Sequence, residues 1–465
     1  PTNLEHIMEV VILAAGKGTR MNSSTPKVLH TIGGKPMLAH AIEAAIELDS
    51  NLIHVVVGFG ADKIERYCET NMADAPLNFV IQAEQLGTGH AVQRVIPSLT
   101  SIEDNNIVLI LYGDVPLIQA DTLEQLLNKA SANSVAVLTG FTQDPTGLGR
   151  IIRDEDGELI AIVEEKDACD EQRGIKEFNT GIMALPAGKL SSWLEKLGND
   201  NEQSEYYLTD VIEAAVRDGC AVNSLVLKDE IEAQGVNDKM QLALLERYYQ
   251  NRIVGYMLKS GVTLRDPNRV DVRGEIAFGS DVEIDINVIF EGTVRLGNKV
   301  RIDANVIIKD SIISDGVHIL AGSNIDGAEI SSGCKIGPSA RLRPGTKLGK
   351  DVKIGNFVET KNASFGDGSK ANHLAYIGDA IIGRKVNIGA GTIFCNYDGA
   401  NKHKSTLGDN VFVGSNSVLI APVNLGDNSF VAAGSAINVD VNKEQLAVSR
   451  AKQRNIDGWG RPKKR

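Results

Sequence analysis

The sequence predicts an α/β domain on a mostly parallel sheet, then a linker helix, then a parallel β-helix. Three observations carry this. Residues 8 to about 230 alternate short apolar runs with amphipathic stretches. Branched apolar residues recur every six positions after about residue 270. A strongly helix-forming segment, Lys239 to Gly261, lies between the two patterns. At 465 residues, two domains are the natural expectation. The reading divides the chain into residues 1–238, a linker helix over 239–261, and a β-helix domain with its tail over 262–465.

In the first half, "VVILAA", "LIHVVVG" and "NIVLILYGD" read as strands, and "PMLAHAIEAAIELD" and "ADTLEQLLNKA" as helices. Apolar strands between helices form a sheet covered on both faces. Such sheets bind ligands at the carboxyl ends of their strands. Gly16 to Arg20 and Gly113-Asp114 both fall at such ends.

The second half has a different period. Val282, Val288, Val294, Val300, Val306 and Ile312 are spaced by six, as are Ile330, Ile336, Leu342, Leu348 and Ile354. Leu407, Val413, Leu419, Leu425, Val431 and Ile437 repeat the pattern. Neither the helix nor the plain strand period gives this spacing. A hexapeptide β-helix does, with each branched residue pointing inward and stacking on the next coil. Three units per coil over ~170 residues give about nine coils. The register is lost after Phe394 and resumes at Leu407, so an insertion protrudes there.

No stretch approaches the apolar length of a membrane-spanning helix, and "PTNLEHIMEV" lacks the pattern of a signal peptide, so a cytoplasmic protein without a membrane partner is expected. Cys68, Cys169, Cys220, Cys334 and Cys395 are scattered, which argues against a disulfide framework or a zinc cluster. A net charge of -12 argues against nucleic acid as partner. The basic end "GRPKKR" reads as a solvated terminus.

"VVILAAGKGTRM" is followed by "NSSTPKVLH". The glycine spacing fits neither a P-loop nor a dinucleotide fingerprint. It leaves a strand running into small residues, with Arg20 and Lys27 able to neutralise an anion. "LAAGKGTRM" with "PKVLH" resembles the signature of sugar-1-phosphate nucleotidyltransferases. "QAEQLGTGHA", "LYGDVPL", "DPTGLGRI", "IVEEKDA", "NTGI" and "GVNDK" follow in that family's order. With the hexapeptide half, the whole chain resembles the bacterial bifunctional N-acetylglucosamine-1-phosphate uridyltransferase / glucosamine-1-phosphate acetyltransferase family. The resemblance implies a Rossmann-like first domain, a left-handed β-helix and a homotrimer. It also implies two reactions, whose product feeds envelope polymers. The C-terminal domain acetylates glucosamine-1-phosphate from acetyl-CoA, and the N-terminal domain joins the product to UMP from UTP.

The family's roles carry over residue by residue. Leu13, Ala14, Ala15 and Gly16 line the nucleotide site, and Arg20 and Lys27 hold phosphate. Gln82, Gly87 and Thr88 read uracil. Tyr112 and Gly113 precede Asp114, which with Asn237 binds Mg²⁺. Gly149, Glu164 and Asn179 hold the sugar. Where this chain has Glu165, the family more often has a basic or aromatic-type residue. On its own, Asp114 reads equally as a strand-end turn residue.

In the β-helix, "SARLRPG", "FVETKNA" and "SKANHLAYIGD" interrupt the repeat with polar residues. Acetyl transfer to an amine needs a base, and the near-neutral pKa of histidine suits it. By resemblance His373 is that base, and Glu359 orients it or the substrate. Arg343 and Lys361 hold the sugar phosphate. Tyr376, Asn387 and Asn396 position the sugar. Ala390, Asn396, Tyr397, Ser415, Ala433 and Arg450 contact acetyl-CoA, with Ser415 also placed to stabilise an oxyanion. Cys395 reads as an incidental thiol, since the amine attacks acetyl-CoA directly. The competing readings are a pyrophosphorylase for another nucleotide and a non-catalytic regulatory subunit. The second should lack the metal carboxylate or the phosphate cations, and Lys27, Asp114, Arg343, Lys361 and His373 are all present.

Overall fold

The computed structural model describes residues 8–103 and 105–462. Most of the N-terminal decapeptide read above and the last residues of the basic tail lie outside the described residues. The chain divides into two compact units, Pro1–Tyr249 and Gln250–Arg465. The helix Lys239–Lys259 runs through this division. Among the described residues, no helix is long and apolar enough to cross a membrane.

The first unit is built on a nine-stranded sheet. The strand Met8–Leu13 lies between Leu52–Val57 and Ile107–Tyr112, parallel to both, and Leu77–Ile81 extends the parallel edge. The sheet departs from all-parallel at the strand Glu177–Pro186, which runs antiparallel to Ile107–Tyr112 and to Ser134–Phe141. The hairpin Gly149–Arg153 and Leu159–Val163 joins that strand. Alternate residues of one strand serve opposite cores, as the two-residue period demands. Val10 and Ile12 pack with Leu38, Ile42 and Leu123. Val11 packs with Val92, Leu190, Trp193 and Ile212 on the other side. Both faces are thus covered, and the strand ends carry the polar chemistry.

The second unit is a parallel β-helix. Eleven short strands form one ladder from Thr263–Leu264 to Leu446–Ala447. That is more than the nine coils expected, because coiling runs past both ends of the visible repeat, from Thr263 ahead of 270 to Ala447 beyond Ile437. Ile284, Ile302, Ile319, Ile336 and Ile354 stack in register along this ladder. Each is almost completely buried. A coil takes 17 or 18 residues from Ile284 to Ile388, and 25 between Ile388 and Val413. The six-residue positions are buried as expected, with one correction. Ile312 is 49% exposed, and Ile313 takes the inward place at 1%. The coil there is one residue short of three full hexapeptides, so the pattern slips by one.

This register yields a paired test. Ile336→Ala should cost about 2–5 kcal/mol, since it opens a cavity between Ile319 and Ile354. Ile312→Ala should cost far less, about 0.5 kcal/mol, because about half of Ile312 is already exposed to water. Urea unfolding followed by circular dichroism measures both.

Candidate functional site

The loop after Met8–Leu13 turns sharply at Gly18, where φ is +61°. A Cβ on Gly18 would lie 2.7 Å from the Cβ of Lys27, so glycine is what lets the lysine pack against the loop. Lys27 opens a short turn behind Pro26 and extends its ammonium inward. Its Nζ donates to Asp114 Oδ2 in a very short contact, and to Asn237 Oδ1 at 3.3 Å. Asp114 stands just beyond the strand Ile107–Tyr112. The Val236 N–H donates to the Asp114 carbonyl at 3.0 Å and brings Asn237 alongside. Two side-chain oxygens from remote segments thus converge on one cation. Oxygen donors in this number fit Mg²⁺, which leaves its other positions to phosphate and water.

A cavity of about 280 Å³ is lined by Leu13, Ala14, Ala15, Gly16, Lys27, Gln82, Gly87, Thr88, Tyr112 and Asp114. The structure therefore brings together nearly all the nucleotide-site residues read from the sequence. Gln85 and Glu205 line it too, and neither was singled out in the sequence. The Gln82 amide nitrogen donates to the Gly87 carbonyl and meets His90 Nδ1, both at 3.1 Å, so its carbonyl oxygen is the part left over. Gly113 packs below the wall, against Ala14, Val28 and Leu38. Arg20 is exposed, makes no ion pair among the described residues, and does not line the cavity.

Asn179 and Asn237 open instead onto an adjoining cavity of about 740 Å³, which shares Tyr112 and Asp114 with the first. Gly149 pairs with Asn179, and its Cα–H side lies near Glu164 Oε1. Glu164 itself faces a third cavity, about 310 Å³, with Asp167, Asp200, Tyr207, Asp210 and Glu213. Burial raises the Glu164 pKa, and the Thr209 hydroxyl, donating at 3.2 Å, partly opposes this. Glu165, the departure from the family pattern, has a structural partner. It accepts from the buried Arg150 Nη2 at 2.5 Å.

In the β-helix the candidate residues fall into two groups. Arg343, Glu359, Lys361, Tyr376 and Asn396 form one. Arg343 donates to Glu359 at 2.8 Å. Lys361 sits against Lys402, and this neighbour, then Arg343, lowers its pKa. The Asn396 amide reaches Tyr376 Oη at 3.5 Å. Ala390, Ser415 and Ala433 form the second group, one above another at the same corner of successive coils. Arg450 Nη1 donates to the Ala433 carbonyl at 2.7 Å and closes that column. Tyr397 is exposed on the inserted loop. His373 and Asn387 lie on the other ladder, paired with Asn356 and Lys370. The His373 side chain is exposed and, among the described residues, makes no hydrogen bond or ion pair. Glu359, read as orienting His373 or the substrate, is held by Arg343 one coil away. Lys402 and Asp379 belong to the first group and were missed in the sequence, where nothing ties them to residues 17 to 41 positions away.

A family model described as MobA-like NTP transferase domain matches residues 10–165. Two more match the β-helix: a GMPPB C-terminal domain over 272–356 and a hexapeptide repeat of succinyl-transferase over 406–438. The Bifunctional protein GlmU of Stutzerimonas stutzeri is 53% identical over 98% of this chain and 100% of its own length. The chain belongs to the GlmU family. The GlmU proteins of Pseudomonas entomophila and Azotobacter vinelandii are each 53% identical over 98% of the chain and 99% of theirs. As a GlmU-family member it is a bifunctional enzyme, an N-acetylglucosamine-1-phosphate uridyltransferase and a glucosamine-1-phosphate acetyltransferase. Nucleotide transfer in such enzymes is generally metal-dependent.

The acidic cavity gives a test of its electrostatics. Burial pushes the Asp210 pKa up to about 6, with Glu213 and Asp167 adding to it. A raised carboxyl pKa means that the folded state binds the proton more tightly than the unfolded chain. The resulting stabilisation is full below about pH 4 and is lost as pH rises through about 6. Asp210→Asn should therefore raise Tm above pH 6 and leave it unchanged at the acid end, as read by thermal unfolding across pH.

Proposed function

We propose that the residues around Lys27 and Asp114 carry uridylyl transfer and that the polar corner of the β-helix carries acetyl transfer, with the second reaction supplying the first. Residues 1–238 and 262–465 form the two catalytic domains, and 239–261 link them. The observation behind this reading is the convergence of Lys27, Asp114 and Asn237 at the carboxyl end of the sheet, beside a cavity walled by small residues.

The sugar phosphate is already an anionic nucleophile, so the first site needs alignment and positive charge more than a base. The Ala14–Gly16 backbone admits the nucleotide closely, and Thr88 and the free Gln82 carbonyl address its base. Lys27 neutralises the reacting phosphates, and the exposed Arg20 is available to the outer ones. Asp114 and Asn237 would hold Mg²⁺, which when bound supplies further positive charge to the phosphates. Gly149, Glu164 and Asn179 hold the sugar.

At the second site Arg343 and Lys361, joined by Lys402, bind the phosphate of glucosamine-1-phosphate. Three cations so close that Lys361 loses proton affinity make a strong site for a dianion. Tyr376, Asn387 and Asn396 position the sugar. His373 takes the proton as the amine attacks the thioester. The column Ala390, Ser415 and Ala433 admits the pantetheine arm, with Tyr397 and Arg450 beside it. His373 is open to solvent in a single chain, which supports a homotrimer with the site completed between copies.

The test is mass spectrometry of products from enzyme, Mg²⁺, acetyl-CoA, UTP and glucosamine-1-phosphate. The parent should yield UDP-N-acetylglucosamine. His373→Ala should lower acetyl transfer by about 10²–10⁴ and make the product only when N-acetylglucosamine-1-phosphate is supplied. Asp114→Asn should instead accumulate that acetylated sugar phosphate, with uridylyl transfer down about 10²–10³. UTP consumption by His373→Ala from the unacetylated sugar would sink the proposed order.

A further inference from the structure

Asn362, Asp379 and Asn396 occupy one corner of three successive coils. Pairing of Lys361 with Gly378 and of Ala363 with Ala380 sets Asn362 directly opposite Asp379. Asn362 Nδ2 donates to Asp379 Oδ1 at 2.6 Å, and Asn396 Nδ2 donates to Asp379 Oδ2 at 2.6 Å. Both carboxylate oxygens are therefore engaged, one by the coil on each side. Asp379 is 9% exposed and holds φ at +49°, a conformation that costs most side chains energy. Its neighbour Gly378 keeps the corner open. A Cβ there would lie 2.5 Å from Tyr376 Oη and 2.8 Å from Asn396 Nδ2.

The carboxylate also faces cations. Burial alone would raise the Asp379 pKa, but the two amide donors, then Lys402 and Lys361, outweigh it and hold it low. The group stays charged. Asn396 in turn is the root of the inserted loop. It leads out of the regular coil, and its carbonyl accepts from the His403 N–H at 2.8 Å, closing the loop that carries Tyr397 and Lys402.

We infer that Asp379 is a positioning residue of the acetyl-transfer site, fixing the Asn396 amide and the root of the loop from the coil below. This rests on the assignment of Asn396, Arg343 and Lys361 to that site. Asp379 touches no substrate in this account; it acts through Asn396. An aspartate is the side chain that can accept two amide hydrogens at once here. Asparagine fits the backbone but has one carbonyl oxygen, so one of the two coils is released. Glutamate keeps the charge but moves it by a methylene.

The experiment is steady-state acetyl transfer by the full-length enzyme carrying Asp379→Asn or Asp379→Glu, with glucosamine-1-phosphate and acetyl-CoA varied. Both variants should lose roughly tenfold or more in kcat, as misplacement of a positioning group does. The KM for glucosamine-1-phosphate should not rise more than about threefold in Asp379→Asn, because removing a negative charge leaves the phosphate cations unopposed. A merely destabilised corner would raise KM as well. In an Asn396→Ala background, Asp379→Asn should add less than about twofold, since the group it positions is gone. A kcat within about threefold of the parent in either variant overturns the inference, as do losses that multiply in the double variant. Thermal unfolding reports whether Asp379→Asn has folded, and Asp379→Glu carries the test if it has not. If Asn396→Ala and Lys361→Ala both leave acetyl transfer intact, the site assignment itself falls. If they abolish it and Asp379→Asn does not, the inference alone falls.

Discussion

In the β-helix every inward aliphatic side chain must rest on the one a coil below, and this stacking governs everything else in that unit. Ile302 on Ile284, and Ile336 on Ile319, leave no room for a polar group in the column. Each such side chain contributes about 1.5–3 kcal/mol by leaving water. Buried polar side chains in the coils include small hydroxyls such as Thr360, Ser369 and Ser417, and charged groups are driven outward, to the corners and to the loop that leaves the coil after Phe394. There, backbone at positive φ is common: Asn362, Leu374 and Asp379 all adopt it. The polar residues proposed for acetyl transfer lie on this outward surface.

The first unit solves the same problem differently. Its central strands are buried on both faces, so their ends are what meets solvent. Asp114 follows one strand, the Ala14–Gly16 loop follows its neighbour, and Lys27 reaches across between them. Asn237 arrives from far along the chain, beside the start of the helix Lys239–Lys259. The Gln241 side chain accepts from the Asn237 N–H at 2.7 Å and holds it there. The helix that follows the domain therefore also fixes one of its site residues.

Much of this was legible in the sequence because it is periodic or local. The six-residue spacing identified the coil, and it failed only at Ile312, where a coil is short by one residue. The strand-end motifs named most of the residues that line one cavity. What remained hidden depends on contacts across coils or between motifs. Asp379 sits inside a recognised motif, yet its purpose appears only when Asn362 and Asn396 stack on either side of it. Lys402 has no motif of its own and gains meaning from Lys361. Glu165 looked like a departure from its family, and a buried arginine on the adjacent strand accounts for it. The family resemblance named Glu359 as orienting His373 or the substrate; its pairing with Arg343 in the preceding coil was not legible there.

The aligned corners Ala390, Ser415 and Ala433 have a consequence of scale. Neighbouring strands lie about 4.8 Å apart, so this column is a ruler with fixed divisions. Three marks span about 10 Å. A ligand lying along it meets backbone groups at that interval whatever the side chains are. Its reach cannot be lengthened by a small adjustment of one loop. It can change only by a whole coil, some 17 or 18 residues at a time. Selectivity for the length of a bound chain is thereby quantised by the architecture.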